Sequence, residues 1–274
     1  MTTLVLLRGL MRDSRHWYGF DQDLAQRDIN VISVDLPGNG TLVNQTSPTC
    51  MQDYSNAVWQ QIDDALLKQG KVPCQIKVVL VGLSMGGMLA LTMAAQRPAR
   101  IEHVVLINSS ATNLSPWYYR FQLWGLLASL YTVSTRVLRV YLSNCDASNK
   151  HDWLEAIVLA FTSKHFGQNI EVITAWSLLR LQCHTSLVNG LRQLYACARF
   201  HSPAIHTVPV SVIVANQDKL AHPKCSEKLA LFYQTQLYKI DDCGHDVSLD
   251  KPEQLQRLLI NIISNTKHGI NDEY

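Results

Sequence analysis

Ile76-Lys77-Val78-Val79-Leu80-Val81 runs without a break into Gly82-Leu83-Ser84-Met85-Gly86, and this stretch decides the fold. An apolar run rich in β-branched residues reads as a strand buried on both faces. Directly after it, Met88-Leu89-Ala90-Leu91-Thr92-Met93-Ala94-Ala95-Gln96-Arg97 is full of good helix formers, and Pro98 stops it. A strand that passes into a helix through Gly-x-Ser-x-Gly makes a sharp turn with the serine at its tip. A side chain two positions before or after that serine would collide across the turn. Ser84 is therefore expected at a helix N-terminus, close to backbone N–H groups and the positive end of the dipole. A hydroxyl presented there is suited to attack a carbonyl, given a base.

A serine needs an imidazole to take its proton. Among ten histidines, His245 stands out. Asp242-Cys243-Gly244-His245-Asp246 follows the strand-like Gln236-Leu237-Tyr238-Lys239-Ile240 and precedes a helix that starts near Pro252. That is a loop at the carboxyl end of a strand, where ligand sites gather in open α/β sheets. The orienting carboxylate should follow the preceding strand, Val210-Ser211-Val212-Ile213-Val214-Ala215, which points to Asp218. Asp241, Asp242 and Asp246 are rivals, but their adjacency to His245 places them poorly for bonding its ring. The order Ser84, Asp218, His245 is the order this motif class predicts.

With these motifs, the chain resembles the α/β-hydrolase family in its lidded serine esterase type, over nearly its whole length. Asp35-Leu36-Pro37-Gly38-Asn39-Gly40 resembles the family's Asp-Leu-Pro-Gly-His-Gly turn, and Gly244-His245 with Pro252-Glu253 resembles its closing motif. The resemblance implies an α/β fold of about six mostly parallel strands with helices on both faces. It implies two-step acyl transfer with no metal or organic cofactor. By position the oxyanion donors would be the backbone N–H groups of Leu10 and Met85. The family's His-Gly appears here as Arg8-Gly9. Arg8 either ties loops together beneath the site or meets an anionic group of the substrate. Trp17, in the next helix start, reads as packing, with substrate contact the alternative. The family's two leading antiparallel strands have no counterpart before Leu4, so strand centres fall near Leu6, Ser33, Val79, Leu106, Val212 and Tyr238.

The family's helical lid would occupy 113–206, between core segments 1–112 and 207–274. Segments 116–130, 134–142, 152–162, 169–181 and 187–199 there show apolar residues at three- and four-residue spacing. Trp117, Phe121 and Trp124 are candidate substrate contacts, because a lid must line an apolar pocket and exclude water. Arg120, Arg136, Arg139, Lys150, Lys164, Arg180, Arg192 and Arg199 outweigh Asp146, Asp152, Glu155 and Glu171. Such an excess is either a solvated face or a docking surface for an acidic partner. Some bacterial esterases similar to this chain cleave pimeloyl-acyl-carrier-protein methyl ester in biotin synthesis, which makes an acyl carrier protein a candidate partner. Thioester, lactone or carbon–carbon bond hydrolysis, acyl transfer, perhydrolysis and non-catalytic binding stay open, since fold does not fix reaction.

Composition narrows the rest. With 47% hydrophobic and 17% charged residues in 274, the chain can bury a large core. A net charge of +2 is too small to point to nucleic acid. No apolar run reaches the roughly 20 residues of a membrane span, and Met1-Thr2-Thr3 lacks a signal peptide's basic start. Seven cysteines without Cys-x-x-Cys spacing read as free thiols, with Cys243 an apolar filler, in a reducing cytoplasm.

Overall fold

The computed structural model describes residues 2–27, 29–142 and 153–268, with the side chains of 136–142 and 266–268 excepted. Six strands form one sheet: β1 (Thr3–Leu7), β2 (Asn30–Val34), β3 (Val78–Leu83), β4 (Ile101–Ile107), β5 (Val210–Ala215) and β6 (Leu237–Ile240). Their order is β2-β1-β3-β4-β5-β6, and every neighbouring pair is parallel. Each strand centre read from the sequence falls inside one of them.

Eleven α-helices complete the described chain: α1 (Phe20–Ala25), α2 (Met51–Lys68), α3 (Met85–Gln96), α4 (Trp117–Arg120), α5 (Leu123–Leu142), α6 (Trp153–Thr162), α7 (Ile170–Gln182), α8 (Leu187–Arg199), α9 (Lys224–Phe232), α10 (Val247–Asp250) and α11 (Pro252–His268). Strand side chains alternate between faces. Val5, Leu7, Leu80 and Leu106 pack beneath α2, α3 and α9, while Leu4, Leu6, Val81 and Ile107 pack beneath α1 and α11. Helices on both faces are what parallel strands joined by crossovers require. The sheet is thereby closed to water on both sides.

Helices α4 to α8 lie between β4 and β5. Three of them, α5, α6 and α7, share a small core of their own around Trp176, Leu159 and Val133, which Leu249 of α10 completes. The sequence pattern divides this region differently at its start. It continues a helix from 116 to 130, but the chain turns extended at Phe121 and α5 then runs unbroken across 131–133. The break has a cause: Gln122 N donates to Leu220 O at 2.9 Å, and the Gln122 side chain donates to Asp218 O at 2.8 Å. Within that run the Thr132 hydroxyl is satisfied inside the helix, donating to Ala128 O one turn back.

Candidate active site

Strand β3 and helix α3 meet at Ser84, whose backbone sits at φ 57°, ψ −115°, a costly conformation for a non-glycine residue. Two bonds hold it there: Ser84 N donates to Ile107 O at 2.8 Å, and Ser109 Oγ donates to Ser84 O at 2.9 Å. The flanking glycines are obligatory. A Cβ on Gly82 would lie 2.4 Å from the Gly86 carbonyl, and one on Gly86 would lie 2.1 Å from Leu7 O. Met85 opens α3, so its N–H has no intrahelical acceptor. The loop after β1 runs past the serine, since a Cβ on Gly9 would come within 3.3 Å of Ser84 Cβ. The peptide of Leu10 therefore belongs to the same edge of the sheet as Met85.

His245 and Asp218 are both buried, and His245 Nδ1 is 2.6 Å from Asp218 Oδ2. The other carboxylate oxygen of Asp218 accepts from Leu220 N at 2.7 Å and Ala221 N at 2.9 Å. These two N–H groups fix the carboxylate, which in turn fixes the ring and its tautomer. The His245 backbone is tied to the serine's side of the sheet through Asn108. The Asn108 amide donates to His245 O at 2.8 Å, and its Oδ1 accepts from Ala215 N at 2.8 Å. Asn108 itself has φ 48° directly after β4. An asparagine closing a strand is the one residue signal that could have marked this clamp in the sequence, because asparagine tolerates left-handed backbone.

The rival carboxylates are engaged elsewhere. Asp242 meets Lys251 and His165, both at 3.2 Å, and Asp241 bonds the Asn216 amide. Asp246 is fully enclosed against Arg8, with Nη2 to Oδ2 at 2.6 Å and Nη1 to Oδ1 at 3.2 Å. Burial raises the Asp246 pKa, but the Arg8 charge and bonds outweigh it and hold the carboxyl below its ordinary range. Arg8 also donates to Ser248 Oγ at 3.0 Å and stacks 4.8 Å from the Trp17 ring. This pair joins the loop after β1 to the loop carrying His245. Arg8 and Trp17 were both candidate substrate contacts, yet protein atoms cover them almost wholly. Arg8 occupies its loop-tying position, and Trp17 stacks on Phe20.

The helical insertion is anchored to the same loop. Asp246 N donates to Thr162 O at 2.8 Å, and the Asp250 carboxylate accepts from Lys164 N at 2.8 Å and Gly244 N at 2.7 Å. Nothing in the sequence pattern singled out Asp250 or Gln122. Of the aromatic candidates, Phe121 is half-buried against Phe161, whereas Trp117 and Trp124 are largely exposed. Among the basic residues, Arg120 bonds the Cys197 and Ala198 carbonyls, Arg180 pairs with Glu155, Arg192 donates to Ser47 O and Arg199 to the Tyr195 hydroxyl. The side chains of Arg136 and Arg139, and residues Asp146, Lys150, Asp152 and Cys145, lie outside the described residues. The six described cysteines are free, and burial with neighbouring carboxylates pushes the Cys243 thiol far up. No described helix is long and apolar enough to cross a membrane.

The profile of the alpha/beta hydrolase family matches residues 4–257. The chain is 25% identical to the sn-1-specific diacylglycerol lipase ABHD11 of Mus musculus, over 92% of this chain and 78% of that one. It is 26% identical to the pimeloyl-[acyl-carrier protein] methyl ester esterase of Nitrosomonas europaea, over 92% and 91%. A thermophilic esterase from Thermogutta terrifontis superposes with a TM-score of 0.66 at 20% identity, covering 97% of this chain and 90% of that one.

Proposed function

The chain belongs to the alpha/beta hydrolase family, and from that premise we propose that it is a serine hydrolase of carboxylic esters. Its esterase- and lipase-type relatives support the reaction class. The observation that carries the assignment is the 2.6 Å contact of His245 Nδ1 with Asp218, on loops at the same sheet edge as the strained Ser84.

In the reaction proposed, His245 Nε2 takes the Ser84 proton as Oγ attacks the ester carbonyl. Asp218 stabilises the imidazolium, and the Leu10 and Met85 N–H groups receive the developing oxyanion. His245 then protonates the leaving alcohol, and water repeats the sequence on the acyl-enzyme. These steps need only this chain's own residues and water. The insertion α4–α8 acts as the lid, residues 113–206 forming one unit between the two core segments. Free thiols in the described residues accord with action in the cytoplasm.

A lipid-type ester is the substrate class placed first, as the names of the acylglycerol lipase relatives suggest. A carrier-bound ester, suggested by the Nitrosomonas relative's name, comes second. Arg120, Arg180, Arg192 and Arg199, which would receive an acidic carrier, are engaged within the protein.

Burst kinetics with a p-nitrophenyl ester test the reading. One equivalent of p-nitrophenol should be released ahead of steady turnover, and Ser84→Ala should lower kcat by about 10⁴-fold or more. Binding of the ester with no burst and no turnover would instead mark a non-catalytic protein.

A further inference from the structure

Helix α8 is packed with its polar side inward. Asn189 and Gln193 face the protein and are satisfied there. Gln193 donates to Asn39 Oδ1 at 2.7 Å and accepts from Met11 N at 2.8 Å, while Asn189 accepts from Ser47 N at 2.9 Å and donates to Gln45 O at 3.1 Å. The apolar stripe therefore points out: Leu187 is 77% exposed, and Val188, Leu191, Leu194 and Tyr195 are exposed with it. A second outward face lies on α5, where Leu123, Trp124, Leu127, Leu130 and Tyr131 follow helical spacing, with Trp124 84% exposed. Arg120, just before α5, joins this end of the insertion to the Cys197 and Ala198 carbonyls of α8. Contiguous exposed apolar faces of this kind mark interaction sites.

We infer that these outward faces of α8 and α5 dock the protein on an anionic lipid surface, half-embedded and without spanning it. The charge pattern chooses this occupant. No Asp or Glu occurs from 103 to 145 or from 172 to 217, the stretches that carry both faces, while six arginines do. Leucine with tryptophan and tyrosine on one side of a helix, in stretches whose only Asp, Glu, Lys or Arg residues are arginines, is the composition of helices that lie in the headgroup region. Arg120 and Arg192 have donors engaged on carbonyls of their own chain. Held in this way, their charge suits diffuse attraction to a lipid sheet better than pairing with single carboxylates of a protein. A second copy is disfavoured by the same pattern, since two such faces brought together would repel.

Docking sets α8 between that surface and the loop after β1, since Gln193 on the inner side of the helix bonds Met11 N, one residue beyond Leu10. The inference rests on the ester-hydrolase reading for its purpose, but binding is measured without turnover, so the two can fail separately. The experiment is co-sedimentation of the full chain with phosphatidylcholine vesicles, with and without phosphatidylglycerol. The wild type and Ser84→Ala should pellet alike with the mixed vesicles, about tenfold more than with phosphatidylcholine alone, and high salt should reduce the excess. Leu187→Ser, Leu191→Ser and Leu194→Ser combined should abolish pelleting while leaving the Tm and the turnover of a soluble short ester unchanged. Equal pelleting of wild type and triple variant, or none by the wild type on mixed vesicles, would overturn the inference. So would a concentration-dependent dimer that the triple variant loses, which would hand the stripe to a second copy.

Discussion

Strand β1 and helix α8 follow opposite rules of burial. Along β1 every side chain from Thr3 to Leu7 is covered, alternate residues going to alternate faces of the sheet. Along α8 the covered residues are Asn189, Gly190, Gln193 and Ala196, and the leucines are left outside. The sheet is held by area removed from water, roughly 25 cal/mol per Å². Helix α8 is held on its inner side by hydrogen bonds to the loop 39–47 and to Met11, each a modest net gain but costly to leave unmade. The contrast separates two uses of apolar residues: in the sheet they build the scaffold, and on the insertion they form a surface.

Substitutions that exchange the two rules have an expected ranking. The largest effect belongs to the scaffold at the serine turn. Gly86→Ala sets a Cβ 2.1 Å from the backbone oxygen of Leu7 and should leave no cooperative unfolding transition by circular dichroism. Next comes the enclosed ion pair. Arg8→Met strands the Asp246 carboxylate in the core and should lower unfolding stability by about 3–5 kcal/mol in denaturant melts. Asp246→Leu added to it should restore much of that loss.

His103, buried at 2.9 Å from the Ser211 hydroxyl, links the sheet to pH. Burial pushes its pKa down from 6.5 to about 4. Between those values the unfolded chain takes up a proton that the folded one refuses, so stability present above pH 6.5 is lost as pH falls toward 4. Wild type should lose about 3 kcal/mol more than His103→Gln over that window, read from urea midpoints at each pH.

The smallest effects sharpen the contrast most, because they reverse the usual ranking of polar and apolar residues. Gln193→Leu leaves Met11 N without its side-chain acceptor and removes one of the two donors to Asn39 Oδ1, and should cost about 1–3 kcal/mol. Leu191→Ser, two residues before it on the same helix, should change stability by no more than about 0.5 kcal/mol. A costly Leu191→Ser with a harmless Gln193→Leu would show that α8 is turned the other way.

Much of this was legible in the sequence, and the reasons are local. The strands are short apolar runs whose length and β-branching leave few alternatives, so their centres at Leu6, Ser33, Val79, Leu106, Val212 and Tyr238 could be read directly. Ser84 was legible because its two glycines answer a steric demand within five residues. Asp218 was marked by its place after β5, and it is the carboxylate bonded to the His245 ring.

What stayed hidden depends on partners far along the chain. Helical periodicity says that α8 has two unlike faces and cannot say which is covered. That is settled by Asn39, Gln45 and Ser47, which lie more than a hundred residues upstream. Trp117 and Trp124, candidate substrate contacts by their place in the insertion, share that ambiguity, and their rings are largely exposed. Arg8 could be assigned only once Asp246 was seen against it, and the break before α5 only once Gln122 was seen on the Asp218 loop.

The proposed function stands on Ser84 as the reactive alcohol of this protein. Labelling with a fluorophosphonate, followed by peptide mapping, tests it most directly. One adduct is expected, on Ser84, absent from Ser84→Ala and formed far more slowly in His245→Gln. An adduct on another residue, or equal labelling of Ser84→Ala, would contradict it.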